Sequence, residues 1–171
     1  MKRRVINKDT SSTEERYYLP HHAVFNSSSK TTRTGVVFDG SFRSSNGLSL
    51  NDTLLVVSTI QKDLYSIVLR FRTNKIAFTA DIAKMYRQVR INEDDRKLQL
   101  IVCSKSADEP SRTRDLSTVP YGTASAAYIA TRCVEQLAEG ESKDFSLAPE
   151  TLTNNFYVND ALCGATTYKM H

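Results

Sequence analysis

Two places in the sequence hold residues that could carry chemistry. One is Asp81, at the end of residues 75–81, where Ile76, Phe78 and Ala80 alternate with Thr79 and Asp81. That period of two predicts a strand, and Asp81 falls at its C-terminal end, a frequent position for chemistry in mixed α/β folds. The other is Asn154-Asn155-Phe156-Tyr157-Val158-Asn159-Asp160, followed by Ala161, Leu162 and Cys163. Aromatic and β-branched residues running into Asn159-Asp160 predict a short β-hairpin. A polar tip of this kind can carry metal-binding carboxylates, and it equally suits an ordinary tight turn. The segment alone leaves both open.

The elements that must position these residues can be read from periodicity. Order is expected to begin near Tyr17-Tyr18-Leu19-Pro20, with a strand at Val36-Val37-Phe38 between turn-rich stretches. Ser58-x-x-Gln61 has the form of a capping box, and Ile60, Leu64, Ile67, Val68 and Phe71 follow at helical spacing until Thr73-Asn74. A pair of strands is expected over residues 86–91 and 98–103, a loop over 104–112 and a further strand over 115–120. A helix opening at Gly122-Thr123-Ala124-Ser125 should run to Gly140, with a short helical piece near 149–153 before the hairpin. The order predicts an α+β sheet with helices on one face.

Composition narrows the class. The chain has 171 residues, 40% hydrophobic and 25% charged, with six Gly and four Pro. That is the profile of a globular domain, and no apolar run approaches the roughly 20 residues that span a bilayer. Cys103, Cys133 and Cys163 form no Cys-x-x-Cys pair, so neither zinc nor a disulfide framework is indicated, and a reducing intracellular compartment is expected. Cys133 and Cys163 sit in apolar contexts and read as small core residues. His21-His22 has no further Cys or His at ligand spacing and reads as structural. The net charge of +4 is compatible with a polyanionic partner without requiring one. Much of the imbalance lies in residues 1–34, and residues 1–16 read as a basic, disordered N-terminus.

Seven blocks in register then carry a resemblance. They are Tyr17-Tyr18-Leu19-Pro20-His21-His22-Ala23-Val24, Val36-Val37-Phe38-Asp39-Gly40-Ser41, Ser49-Leu50-Asn51-Asp52 and Leu69-Arg70-Phe71-Arg72. Residues 80–89, beginning Ala80-Asp81-Ile82-Ala83, follow, and then Tyr121-Gly122-Thr123 with Ser125-Ala126 and Phe156-Tyr157-Val158-Asn159-Asp160. In this order they resemble the reverse transcriptase of BEL/Pao long-terminal-repeat retrotransposons, over about residues 17–165.

The resemblance implies the fingers and palm of a right-hand polymerase, with a ferredoxin-like antiparallel palm sheet over about residues 75–166 within a 17–171 domain. It implies RNA-directed DNA polymerase activity by two-metal phosphoryl transfer, with two Mg²⁺ ions, a template-primer of RNA or DNA, and deoxynucleoside triphosphates. Asp81 and Asp160 then correspond to metal ligands, and Asn159 stands where a further catalytic Asp is expected. Tyr86 corresponds to the gate that crowds a ribose 2′ hydroxyl, and Tyr121-Gly122 to the segment under the incoming nucleotide. Lys30 and Arg33 would meet phosphates or be ordinary solvated charges. No membrane association is implied, and the location would be the cytoplasm, the nucleus or a virus-like particle.

The chain departs from that pattern. Asn159 supplies no charge and cannot bridge two cations as a carboxylate does, and Gly35 stands where a triphosphate-binding Arg is expected. Ala127, Cys103 and Asn155 replace a usual Pro, Trp and Asp. The sequence ends soon after the hairpin, so a thumb is expected to be absent. These departures imply a fragment with impaired activity. The alternatives are a non-catalytic nucleic-acid-binding protein derived from a transposon, or a functionless genomic relic.

Overall fold

The computed structural model describes residues 15–28, 33–104, 106 and 108–167. The expected disorder of residues 1–14 and the site role of Lys30 therefore lie outside the described residues. The fold is mixed α+β, with small antiparallel sheets and several helices. It divides into two compact units, Met1–Val56 with Tyr86–Ala126, and Val57–Met85 with Ala127–His171.

In the first unit, β1 (His21–Phe25) pairs antiparallel with β2 (Thr34–Phe38), Gly35 opposite Val24. Then comes α1 (Leu50–Thr53), one turn that survives because its ends are satisfied. The Ser49 hydroxyl accepts from the Asp52 amide at 3.1 Å while the Asp52 carboxylate accepts from the Ser49 amide at 3.0 Å, a reciprocal capping box. A helical turn, α3 (Met85–Gln88), leads into a 3-10 segment, Glu93–Leu98, and then to the hairpin of β4 (Leu100–Cys103) with β5 (Arg112–Asp115). Leu19, Leu50, Leu100 and Val119 are buried here. Buried Gln99 is satisfied by donating to the Leu116 carbonyl at 2.6 Å.

The second unit is organised by a three-stranded antiparallel sheet. α2 (Leu64–Thr73) starts at Asp63, whose carboxylate accepts from the Ser66 amide at 2.9 Å, and stops at Asn74, whose amide donates to the Arg70 carbonyl at 3.0 Å. β3 (Ile76–Asp81) follows at once. After α4 (Ala126–Gly140) and α5 (Ala148–Asn154), the chain forms β6 (Phe156–Tyr157) and β7 (Asp160–Ala165). The strand order is β3-β7-β6. Alternate β7 residues Ala161 and Cys163 are buried, and α2 packs on β6 and β7 through the face that carries buried Ile67. In α4, Ala130, Val134 and Ala138 recur every four residues as a buried stripe.

Several expectations are corrected. The helix begins at Leu64 rather than Ser58, because Asp63 makes the capping bond; the Gln61 side chain accepts from the Val158 amide at 3.1 Å instead. Residues 85–88 are helical where a strand was expected over 86–91. The strand expected over 115–120 is β5, at Arg112–Asp115, and Thr118 makes only an isolated bridge with Arg90. Gly122 lies outside a helix, since α4 starts at Ala126. The strands form three separate small sheets among the described residues, not one. Cys163 is buried as expected, but Cys133 is exposed.

Candidate functional site

Asp81 and Asp160 are register partners at the end of the β3–β7 ladder, so both side chains project from the same face of the sheet. Strand alternation puts them on the face opposite Ala161 and Cys163, the buried pair, and both are exposed. Directly opposed like charges destabilise an antiparallel pair unless a donor or cation offsets them. Asn159 is next in the turn. Its side-chain amide donates to an Asp81 carboxylate oxygen, and its carbonyl accepts from the Ile82 amide at 2.9 Å.

The hairpin is tighter than the sequence indicated. Tyr157 pairs with Asp160, so the two turn residues are Val158 and Asn159, and Asp160 is the first residue of β7. Val158 has φ 56°, a left-handed conformation that β-branched residues rarely adopt. Two-residue hairpin turns require positive φ at the first position, where glycine or Asn is the easy choice. Such strain costs about 1–3 kcal/mol, and the Val158 amide bond to Gln61 is one of the contacts that hold it.

The three side chains fit a divalent cation of the magnesium type, which takes hard oxygen ligands and keeps open positions. Asp81 and Asp160 would hold it, with the Asn159 amide oxygen as a neutral third donor. When bound, such an ion supplies Lewis-acid stabilisation of charge on phosphoryl oxygens. Among the described residues, no group of three or more His, Cys, Asp or Glu is placed to hold a metal.

The first unit brings Tyr86 and Tyr121, two of the residues expected at a nucleotide, into contact. The rings of Tyr86 and Tyr121 meet edge to face, with centroids 4.8 Å apart and planes at 64°. Burial, and then the neighbouring Tyr121, push the Tyr86 hydroxyl pKa up. Gly122 has φ 91°, and a Cβ there would lie 2.3 Å from the Phe38 carbonyl oxygen, so close backbone approach does require glycine. Arg33 is exposed, and its backbone carbonyl accepts from the Asn26 amide at 2.9 Å. His21 bonds the Leu19 carbonyl at 3.2 Å and lies 6.1 Å from the Phe38 ring, a structural arrangement.

Sequence reasoning missed Asn51. Its side-chain oxygen accepts from the Ala124 amide at 2.7 Å, and its NH₂ donates to the Gly122 carbonyl at 3.2 Å and to the Ser41 hydroxyl at 2.9 Å. The available signal was Ser49-x-x-Asp52, a capping-box pattern that fixes the turn bearing Asn51. No family model and no curated protein matches the sequence. No helix among the described residues is long and apolar enough to cross a membrane.

Proposed function

We propose that this chain is the fingers-and-palm portion of an RNA-directed DNA polymerase of the BEL/Pao retrotransposon kind, weakened at its metal and triphosphate contacts. The observation that carries the reading is the convergence of Asp81 with Asn159 and Asp160. Asn159 lies 78 residues from Asp81 in sequence and donates to its carboxylate. A generic hairpin turn gives no reason for two carboxylates to face each other beside a strained tip. The Tyr86–Tyr121 contact in the other unit supports a nucleotide-facing surface there. The partners under this reading are a template-primer, deoxynucleoside triphosphates and Mg²⁺. Impairment follows from Asn159, which leaves the site one charge short, and from Gly35, which has no side chain to reach a triphosphate.

The test is a manganese titration of the isotope-labelled chain, Mn²⁺ standing in for Mg²⁺ because it broadens nearby amide signals. Broadening should centre on Ile82, Asn159 and Asp160 and should weaken at least tenfold in Asp81→Asn. Broadening that ignores that substitution, or centres elsewhere, rules the site out.

A further inference from the structure

The segment bearing Tyr121 and Gly122 lies between buried Pro120 and the start of α4, outside any helix or strand. Three neighbours nonetheless fix it. The Phe38 carbonyl occupies the space a side chain on Gly122 would need, and buried Gly40 sits so near that a Cβ on it would meet the Gly122 carbonyl at 2.6 Å. The third is the half-buried carboxamide of Asn51, which gives a donor to Gly122 and an acceptor to Ala124 at once. The Asn51 backbone amide donates to the Gly40 carbonyl at 2.9 Å, so the same residue also holds the opposing loop. A carboxamide offers a donor and an acceptor in one plane; a carboxylate keeps the acceptor and loses the donor.

We infer that Asn51 is a positioning residue of the nucleotide pocket. By holding the backbone of 122–124 it sets where Tyr121 stands, and through the edge contact of Tyr121 it sets the Tyr86 ring, which would read the 2′ position of the sugar. The inference rests on the polymerase reading for the role of that pocket. Truncating Asn51 releases two backbone groups together, so Tyr121 loses its fixed origin and Tyr86 loses the ring that limits its rotation. A pocket loosened in this way still binds triphosphate, but it discriminates less between ribose and deoxyribose.

The full chain and its Asn51→Ala and Asn51→Asp variants test this by NMR. In Asn51→Ala, exchange of the Ala124 amide should accelerate at least tenfold and the ring-to-ring Overhauser effect between Tyr86 and Tyr121 should fall. Asn51→Asp should lie between, since it keeps the acceptor for Ala124. Titration with dGTP and GTP in Mg²⁺ should show the wild-type preference for dGTP shrinking at least threefold in Asn51→Ala. A purely structural lesion would instead weaken both nucleotides by the same factor. Unchanged exchange and ring contact in Asn51→Ala would overturn the positioning role, and an unchanged preference despite altered rings would overturn its link to the sugar. If the wild-type chain binds neither nucleotide, the polymerase reading fails, while exchange and ring contact still decide whether Asn51 holds the segment.

Discussion

Asp81 and Asp160 stand directly opposite each other as the last register partners of β3 and β7, and the side chain that reaches across to Asp81 is the amide of Asn159. The amide donates a proton where a carboxylate would add charge. Asn159 thus stabilises the opposed carboxylate pair, and under the proposed function it would also leave a cation there one charge short.

A first prediction follows from that double role. Asn159→Asp replaces a hydrogen bond with a third negative charge, so the variant should melt below wild type in EDTA. Added Mg²⁺ should then raise its melting temperature more than it raises that of wild type, because a ligand that binds the folded state stabilises it. Mn²⁺ affinity should rise at least tenfold, about 1.4 kcal/mol. Equal melting of the two chains in EDTA would show that residue 159 does not feel the Asp81 charge.

Val158 supplies a second. Its φ of 56° suits glycine, and its side chain is half-buried. Val158→Gly should relieve backbone strain and leave the chain as stable as wild type or up to about 1 kcal/mol more stable, by urea denaturation. Ordinary Val→Gly replacement in a half-buried site is destabilising, so a loss of more than about 1 kcal/mol would show that the left-handed turn is not strained.

What the sequence disclosed and what it hid divide along a physical line. β3, the C-terminus of α2, the extent of α5 and the existence of the hairpin were legible because each is written locally: alternation over 76–81, Asn74 as a stop, Pro149 near a helix start, turn residues at 159–160. The helix start at Leu64 was misread because Ser58-x-x-Gln61 mimics a capping box that Asp63 makes instead. Residues 86–91 read as a strand because Tyr86 and Val89 have strand-like side chains, whereas residues 85–88 form a helical turn stabilised by backbone bonds such as Val89 to Tyr86. For the site, Asp81, Asp160 and Asn159 were named from the sequence, but which residues occupy the turn depends on register, and a register set by β7 pairing both neighbours is not local. Asn51 escaped because two of its side-chain partners, Gly122 and Ala124, are more than 70 residues away.

Acid should act on the start of α2. The Ser66 hydroxyl, and then its amide, hold the Asp63 carboxyl below its ordinary value of 3.8. A carboxyl with a lowered folded-state value contributes stability that is present above 3.8 and lost as pH falls through the lowered value. Exchange of the Ser66 amide, corrected for its intrinsic pH dependence, should therefore accelerate below that range. Asp63→Asn keeps a capping acceptor that does not titrate, and its Ser66 protection should be flat with pH. A wild-type profile equally flat would remove the cap from the account.

Gly122 and Gly35 should respond to substitution in opposite ways. Gly122→Ala forces a Cβ to 2.3 Å from the Phe38 carbonyl in a left-handed backbone, so it should destabilise by about 3 kcal/mol or more and separate Tyr121 from Tyr86. Gly35 is different. It lies in β2 with only the Val24 carbonyl near its Cβ position, at the ordinary distance of 3.8 Å, and it is exposed. Glycine within a strand weakens it, so Gly35→Arg should be neutral or stabilise by up to about 1 kcal/mol. If the polymerase reading holds, the new guanidinium should also tighten dGTP about fivefold, close to 1 kcal/mol, while leaving deoxyguanosine unchanged, because the gain comes from phosphate oxygens. The comparison of triphosphate with nucleoside separates a true phosphate contact from general stabilisation of the chain. Equal tightening of both ligands, or of neither, would show that position 35 does not face the triphosphate and that its glycine is a neutral choice.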